Sequence, residues 1–140
     1  MKSDLWQLYQ TTVFALNQRF SLDFNFAIIT AYNPKGDNLS CGQNALLDNE
    51  LQEKINEKGI LARSIYGCSP DLSHWEKSWA LFTDKTQAID IAIKFKQNAM
   101  YWVEADRLIL VPCLLTDQKD IEIGRFSKRL LTDISLDYFY

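Results

Sequence analysis

The segment HWEKSW contains His74, the only histidine of the chain, and Glu76 two positions later. Zinc deaminases use a His-x-Glu pair followed by Pro-Cys-x-x-Cys, in which the histidine and both cysteines bind the metal. Pro112 and Cys113 match the start of that second motif, but Thr116 stands where the second cysteine should be. The deaminase pattern is therefore incomplete. A second histidine at the spacing of other common zinc sites is also absent from the sequence.

Other catalytic motifs are equally incomplete. A Ser-His-Asp or Cys-His site would have to use His74 as its base, and no nucleophile elbow marks a partner for it. The turn PKG at residues 34–36 lacks the glycine spacing of a phosphate-binding loop. Three widely separated cysteines without a C-x-x-C pair favour neither a disulfide framework nor structural zinc. We expect neither a metal nor a cofactor.

Several polar residues stand where predicted strands and helices end or where an apolar face is interrupted. Asn44 is the hardest to explain, because it precedes Leu47 and Leu51 by three and seven residues on the apolar stripe of a predicted helix. A buried amide without a partner costs about 1–3 kcal/mol. We therefore predict a polar site with Glu76 as its catalytic acid or base. The residues predicted to bind its ligand are Asn33, Asn44, His74, Ser78, Gln97 and Asn98.

Structural roles stay open for most of these residues. Asparagine starts turns and caps helices, which would account for Asn33 and Asn98 without a ligand. Glu76 and His74 would also suit a solvated strand end or a loop. Of the two, we expect Glu76 to matter more.

Length, composition and net charge limit the class of protein. A chain of 140 residues with 47% hydrophobic and 24% charged residues predicts a single folded domain over residues 1–140. The net charge of −3 argues against a nucleic-acid binder, which usually concentrates Lys and Arg into a basic surface. The residues MKSDLWQLYQ do not predict a secretory leader, and no apolar run in the sequence reaches membrane-spanning length. We expect a cytoplasmic protein with no membrane partner.

Hydrophobic periodicity and turn signals predict the elements. A helical spacing of apolar residues indicates a helix over residues 4–19. Capping-box pairs at Ser40 with Gln43 and at Asp84 with Gln87 predict the starts of two further helices, the first over about 41–58. Strands are predicted within residues 24–34, 60–67 and 76–83, with two more in a hairpin within 99–115. The tail DIEIGRFSKRLL suggests a short strand and a helical turn.

The order of these elements predicts an α+β fold. It comprises an antiparallel sheet of four to five strands with helices on one face, and a ferredoxin-like βαββαβ sandwich with a hairpin strand is the expected topology. The first helix is then an addition to this core.

Longer segments resemble a known family. They are ITAYNPKG, LSCGQNALLDNELQEKI, GCSPDLSHWEKSWAL, AIDIAIKFKQNAMYWVE and LILVPCLL, and together they resemble the bacterial family of unknown function DUF3293 over about residues 24–127. The resemblance implies a small stand-alone bacterial protein without an established activity. It also implies a family pattern rich in the same polar positions, and it supplies no mechanism.

Two functions therefore remain open. The first is a small-molecule pocket, with or without catalysis, for a polar ligand such as a nucleoside, a sugar or an amino-acid-like compound. The second is a non-catalytic interaction or homo-oligomerisation module, because aromatic residues often anchor interfaces. Those that would serve as anchors are Trp6, Tyr9, Phe14, Tyr138, Phe139 and Tyr140.

Overall fold

A seven-stranded sheet dominates the part of the chain that the computed structural model describes, residues 2–16 and 19–131. Each pair of neighbouring strands is antiparallel, and their order across the sheet is β1-β3-β4-β2-β5-β6-β7. The strands are β1 (Val13–Leu16), β2 (Phe26–Thr30), β3 (Leu61–Cys68), β4 (Trp75–Phe82), β5 (Ala99–Glu104), β6 (Arg107–Pro112) and β7 (Ile121–Arg125).

Three α-helices accompany this sheet in the described residues, namely α1 (Lys2–Tyr9), α2 (Cys41–Glu57) and α3 (Lys85–Lys94). Both halves of the predicted capping box are present at the start of α2, where Ser40 and Gln43 bond to each other's backbone N–H. At α3, Asp84 accepts from the backbone N–H of Gln87, and Gln87 pairs with Thr83 instead of completing the box. No helix of the described ranges is long and apolar enough to cross a membrane.

The two faces of the sheet have different coverings because side chains alternate along each strand. On β2, Ala27 and Ile29 pack in one buried cluster with side chains of α2 and α3. Phe26 and Ile28 point the other way, into an aromatic-rich cluster that contains no residue of these two helices. We call the first side the helix face and the second the inner face.

The sheet is strongly curled around its inner face. Three strands separate β1 from β5, so a flat sheet would place these strands about 19 Å apart. The rings of Phe14 and Tyr101, on β1 and β5, nevertheless have centroids 5.2 Å apart. Phe14 also forms a bridge with Leu130, which follows β7, and so joins the two edges of the sheet.

The inner face carries large side chains at one end of the curled sheet and small ones at the other, which leaves the second end open. At one end Phe26, Phe82 and Val103 fill the interior. At the other end the same strands carry Thr30 and Ser78, which are paired across β2 and β4. Helix α1 covers this end, where Trp6 is buried against Leu110 and Leu115 and packs near Ala99 and Tyr101.

The predicted α+β class with four to five strands and helices on one face, ferredoxin-like or otherwise, is wrong. The described sheet has seven strands and curls until β1 reaches Leu130 beyond β7, and α1 lies on the face opposite α2 and α3. The helix predicted over residues 4–19 is also wrong, since α1 ends at Tyr9 and residues 13–16 form β1. The apolar spacing that includes Val13 and Leu16 is compatible with a helix. However, Thr11, Thr12 and Val13 favour strands, and residues 13–16 pair with β3.

Candidate functional site

A cavity of about 440 Å³ lies between α1 and the open end of the inner face. Its volume falls within the usual range for small-molecule sites. Thr30 and Ser78 contribute small side chains to its sheet side, Gly67 contributes only backbone, and Leu5 and Leu8 of α1 cover it. Five of the seven predicted site residues are in its lining, namely Asn33, His74, Glu76, Ser78 and Gln97. Asn44 and Asn98 stand behind the lining and bond to residues within it.

A chain of amides holds the carboxylate of Glu76. The Asn33 side chain donates from Nδ2 to Glu76 Oε2 over 2.8 Å, and its Oδ1 accepts from Asn44 Nδ2 over 3.0 Å. Asn44 Oδ1 in turn accepts from the Asn33 backbone N–H over 2.9 Å. Asn44 is only 5% exposed, and both polar atoms of its side chain bond to Asn33, which lies 11 positions earlier in the chain. The bonds to Asn33, which lies outside α2, therefore explain why an asparagine interrupts the apolar face of this helix.

The turn that follows β2 places the Asn33 side chain where it can make these bonds. Asn33 adopts a left-handed backbone with φ of 48°, which asparagine tolerates better than most residues. Its Oδ1 also accepts from the backbone N–H of Leu39 over 3.0 Å. The turn continues through Pro34 to Gly36, whose φ of 81° suits glycine.

His74 lies beside the same carboxylate oxygen, with Nε2 3.5 Å from Glu76 Oε2. The hydrogen bond to Glu76 raises the pKa of His74, and its partial burial opposes that rise. Among the described residues no hydrogen bond reaches Glu76 Oε1. Within the described ranges, Oε2 is thus held by Asn33 and lies beside His74, whereas Oε1 has no hydrogen bond.

The remaining predicted residues bond to the walls of the cavity. Ser78 Oγ donates to the backbone carbonyl of Glu76 over 3.2 Å. Gln97 Nε2 donates to the backbone carbonyl of Tyr32 over 3.2 Å. Asn98 Nδ2 donates to the Tyr9 hydroxyl over 3.2 Å and so ties β5 to α1. Gln97 and Asn98 thus bond to neighbouring segments of the protein itself.

Sequence reasoning missed three tyrosines of the lining, namely Tyr9, Tyr32 and Tyr101. Burial raises the pKa of each, and the negative charge of Glu76 raises it further. They therefore stay neutral and can donate hydrogen bonds at ordinary pH. Tyr101 donates to the backbone carbonyl of Tyr9 over 2.6 Å, which fixes the end of α1. Tyr32 directly precedes Asn33, and this adjacency was the one signal in the sequence.

Metal ligands and a reactive thiol do not gather at this site. The described ranges contain no group of three or more His, Cys, Asp or Glu side chains that could hold a metal ion. Cys68 lines the cavity, and burial raises the pKa of its thiol to about 11. The thiol is therefore protonated at neutral pH and is a weak nucleophile.

The described structure is thus a curled sheet with a cavity under its first helix, and the lining of this cavity includes the amide-held carboxylate of Glu76. The model of the family DUF3293, described as a protein of unknown function, matches residues 29–100, slightly more than half of the chain. The chain belongs to this family, as the quoted segments predicted. All seven predicted site residues fall within the matched range, whereas α1 lies outside it. No curated protein and no solved structure matches the chain.

Proposed function

We propose that the cavity binds a polar small molecule and that Glu76 accepts a hydrogen bond or a proton from it. The observation that carries this proposal is the carboxylate itself, held at one oxygen by Asn33 and unbonded at the other within the described structure. A preorganised acceptor of this kind needs little rearrangement when a ligand arrives. If the ligand is turned over, Glu76 is the residue that takes or returns the proton.

The composition of the lining supports a small molecule as the partner. Apolar side chains of Leu5, Phe14 and Ile28 form one part of the wall, and Asn33 and Glu76 lie in another. Small-molecule sites combine apolar walls with a few placed polar groups in this way.

The interaction module stays a prediction with less support. Trp6 and Phe14, two of its proposed anchors, are buried in the protein's own core. Tyr138, Phe139 and Tyr140 lie outside the described residues. No surface cluster in the described structure favours this second function over the cavity.

The test is a thermal-shift screen of small polar metabolites against the wild-type protein. A ligand that binds only the folded state stabilises it by about 2.7 kcal/mol at a hundredfold excess over Kd, which raises Tm by several degrees. We expect hits whose Tm shift is reduced in Glu76→Gln and lost in Ala99→Leu, because leucine at position 99 adds bulk to the cavity wall.

Ala45→Leu is the matched control, because it makes the same change at an exposed position of α2. It should keep every hit. Gly67→Ala is a milder filling variant if Ala99→Leu does not fold, since its methyl group would meet Thr12 and Phe14 at ordinary distances of 3.6 and 4.0 Å. A screen without hits, or hits that survive filling of the cavity, would contradict the proposal.

A further inference from the structure

The lining of the cavity is unbalanced in charge. Among the described residues that form it, Glu76 is the one carboxylate, and no lysine or arginine is present. His74 is the one group that can become positive there, and it does so only when protonated. Arg129 lies behind the wall, where its guanidinium donates to the backbone carbonyls of Gln10, Thr12 and Ile123. Among the described lining residues, an anionic ligand would therefore meet the Glu76 carboxylate with only a protonated His74 to offset it.

The closest hydrogen-bond donor to Glu76 is a neutral amide and not a lysine or an arginine. A lysine or arginine in place of Asn33 would fix the carboxylate equally well and would neutralise it. Asn33 instead supplies a neutral N–H donor over 2.8 Å, and its own position depends on the neutral amide of Asn44. Among the described residues the other carboxylate oxygen has no hydrogen-bond donor, and an ammonium group could donate to it.

Three tyrosines share the cavity with this carboxylate. Tyr9, Tyr32 and Tyr101 are all part of its lining. Aromatic faces attract cations, and sites for organic ammonium groups combine such faces with a carboxylate. Leu5, Ile28 and the neighbouring apolar wall can then receive the uncharged part of a ligand.

We propose that the ligand is an organic ammonium compound, whose protonated amine contacts Glu76 and whose apolar body, a ring or branched chain, lies against Leu5, Ile28 and Leu110. The proposal rests on the cavity binding a small molecule and adds the chemical class of that molecule. It excludes phosphorylated and carboxylate ligands as good binders.

Matched compounds test the charge directly. Isothermal titration calorimetry would compare 2-phenylethylamine, 2-phenylethanol and 3-phenylpropanoate, which share a ring and differ in the charge of the terminal group. A second series would carry a cyclohexyl ring. We expect the amines to bind at least about tenfold more tightly than the alcohols and the carboxylates to bind most weakly.

Glu76→Gln then assigns the preference to one residue, because glutamine keeps the size of the side chain and an acceptor for Asn33. We expect it to weaken amine binding by at least about tenfold and to leave alcohol binding within about twofold. Glu53→Gln, at an exposed position of α2, makes the same change in net charge and should alter neither. The comparison of amine with alcohol in the wild-type protein does not depend on the folding of any variant.

Equal binding of amines and alcohols would overturn the proposal, as would tighter binding of the carboxylates or no binding of either amine. If the metabolite screen still yields compounds that Ala99→Leu abolishes, the cavity is a binding site and only the ligand class is wrong. If the screen also yields nothing, the proposed function fails as well.

Discussion

Two carboxylates lie on opposite faces of the same sheet in contrasting surroundings. On the helix face, Asp48 of α2 accepts from Trp79 Nε1 over 2.8 Å and pairs with Lys77 Nζ over 2.8 Å. Its side chain is 5% exposed. On the inner face, Glu76 accepts from the neutral amide of Asn33 and lines a cavity. Asp48 is paired with a cation and buried, whereas Glu76 is held by an amide and accessible.

Strand β4 supplies a residue to each arrangement. Glu76 and Lys77 are consecutive, so their side chains point to opposite faces. The positive charge of Lys77 goes to Asp48 and its ammonium lies 4.8 Å from the centre of the Trp79 ring. From this contrast we expect Asp48 to stabilise the fold. Glu76, which has one oxygen without a hydrogen bond among the described residues, is the carboxylate that we propose contacts a ligand.

The largest expected difference is in stability. Asp48→Ala leaves Lys77 and the Trp79 N–H without their partner, and we expect a loss of about 3 kcal/mol in the free energy of unfolding. Glu76→Ala frees the Asn33 amide and the exposed His74 side chain, both of which water can solvate, and we expect a loss below about 1 kcal/mol. Urea unfolding followed by tryptophan fluorescence measures both values.

Asp90→Ala, at an exposed position of α3, is the control and should change stability by less than about 0.5 kcal/mol. If Glu76→Ala costs as much as Asp48→Ala, the carboxylate on the inner face is also structural, and the contrast between the two faces is lost.

The second prediction concerns the amide behind Glu76. Asn44→Leu removes both bonds to Asn33 and leaves a backbone N–H unpaired, so we expect a loss of about 2 kcal/mol. The hydrogen exchange of the Asn33 amide, followed by NMR, should become faster because its acceptor is gone. Asn49→Leu makes the same change at an exposed position of α2 and should leave that amide unaltered. Unchanged exchange in Asn44→Leu would mean that Asn44 does not hold Asn33.

Elements with strong local signals could be predicted from the sequence. The capping box at Ser40 and the hydrophobic stripe behind it place α2 within a residue of its observed end. The polar stretch between β5 and β6 marks their hairpin, and the strand and helical turn suggested for the tail are present as β7 and residues 126–129. In each case the information lies within a few consecutive residues.

Contacts between distant residues could not be predicted in the same way. The curl of the sheet depends on Phe14 meeting Tyr101 and Leu130, and no local pattern encodes those distances. At the site, the position of Asn44 on an apolar helix face indicated that its side chain needs a hydrogen-bond partner elsewhere in the protein. That the partner is Asn33, which also binds Glu76 43 residues away, depends on the register of the folded chain.

The smallest expected effect concerns the pH dependence of His74. The hydrogen bond to Glu76 raises the pKa of His74 above its unfolded value of about 6.5. The resulting stabilisation is fully present below about pH 6.5 and is lost as the pH rises through the raised pKa. It should remain below about 1 kcal/mol, because the His74 side chain is 59% exposed.

Comparison of wild type with His74→Gln at about pH 5.5 and about pH 8.5 isolates this contribution. The wild type should be the more stable only at the lower pH. Nearby Asp71 does not interfere, since hydrogen bonds from the Ser73 backbone N–H and from two serine hydroxyls hold its pKa at about 2. A stability difference that is the same at both pH values would contradict the prediction. It would show that protonated His74 does not form a stabilising ion pair with Glu76.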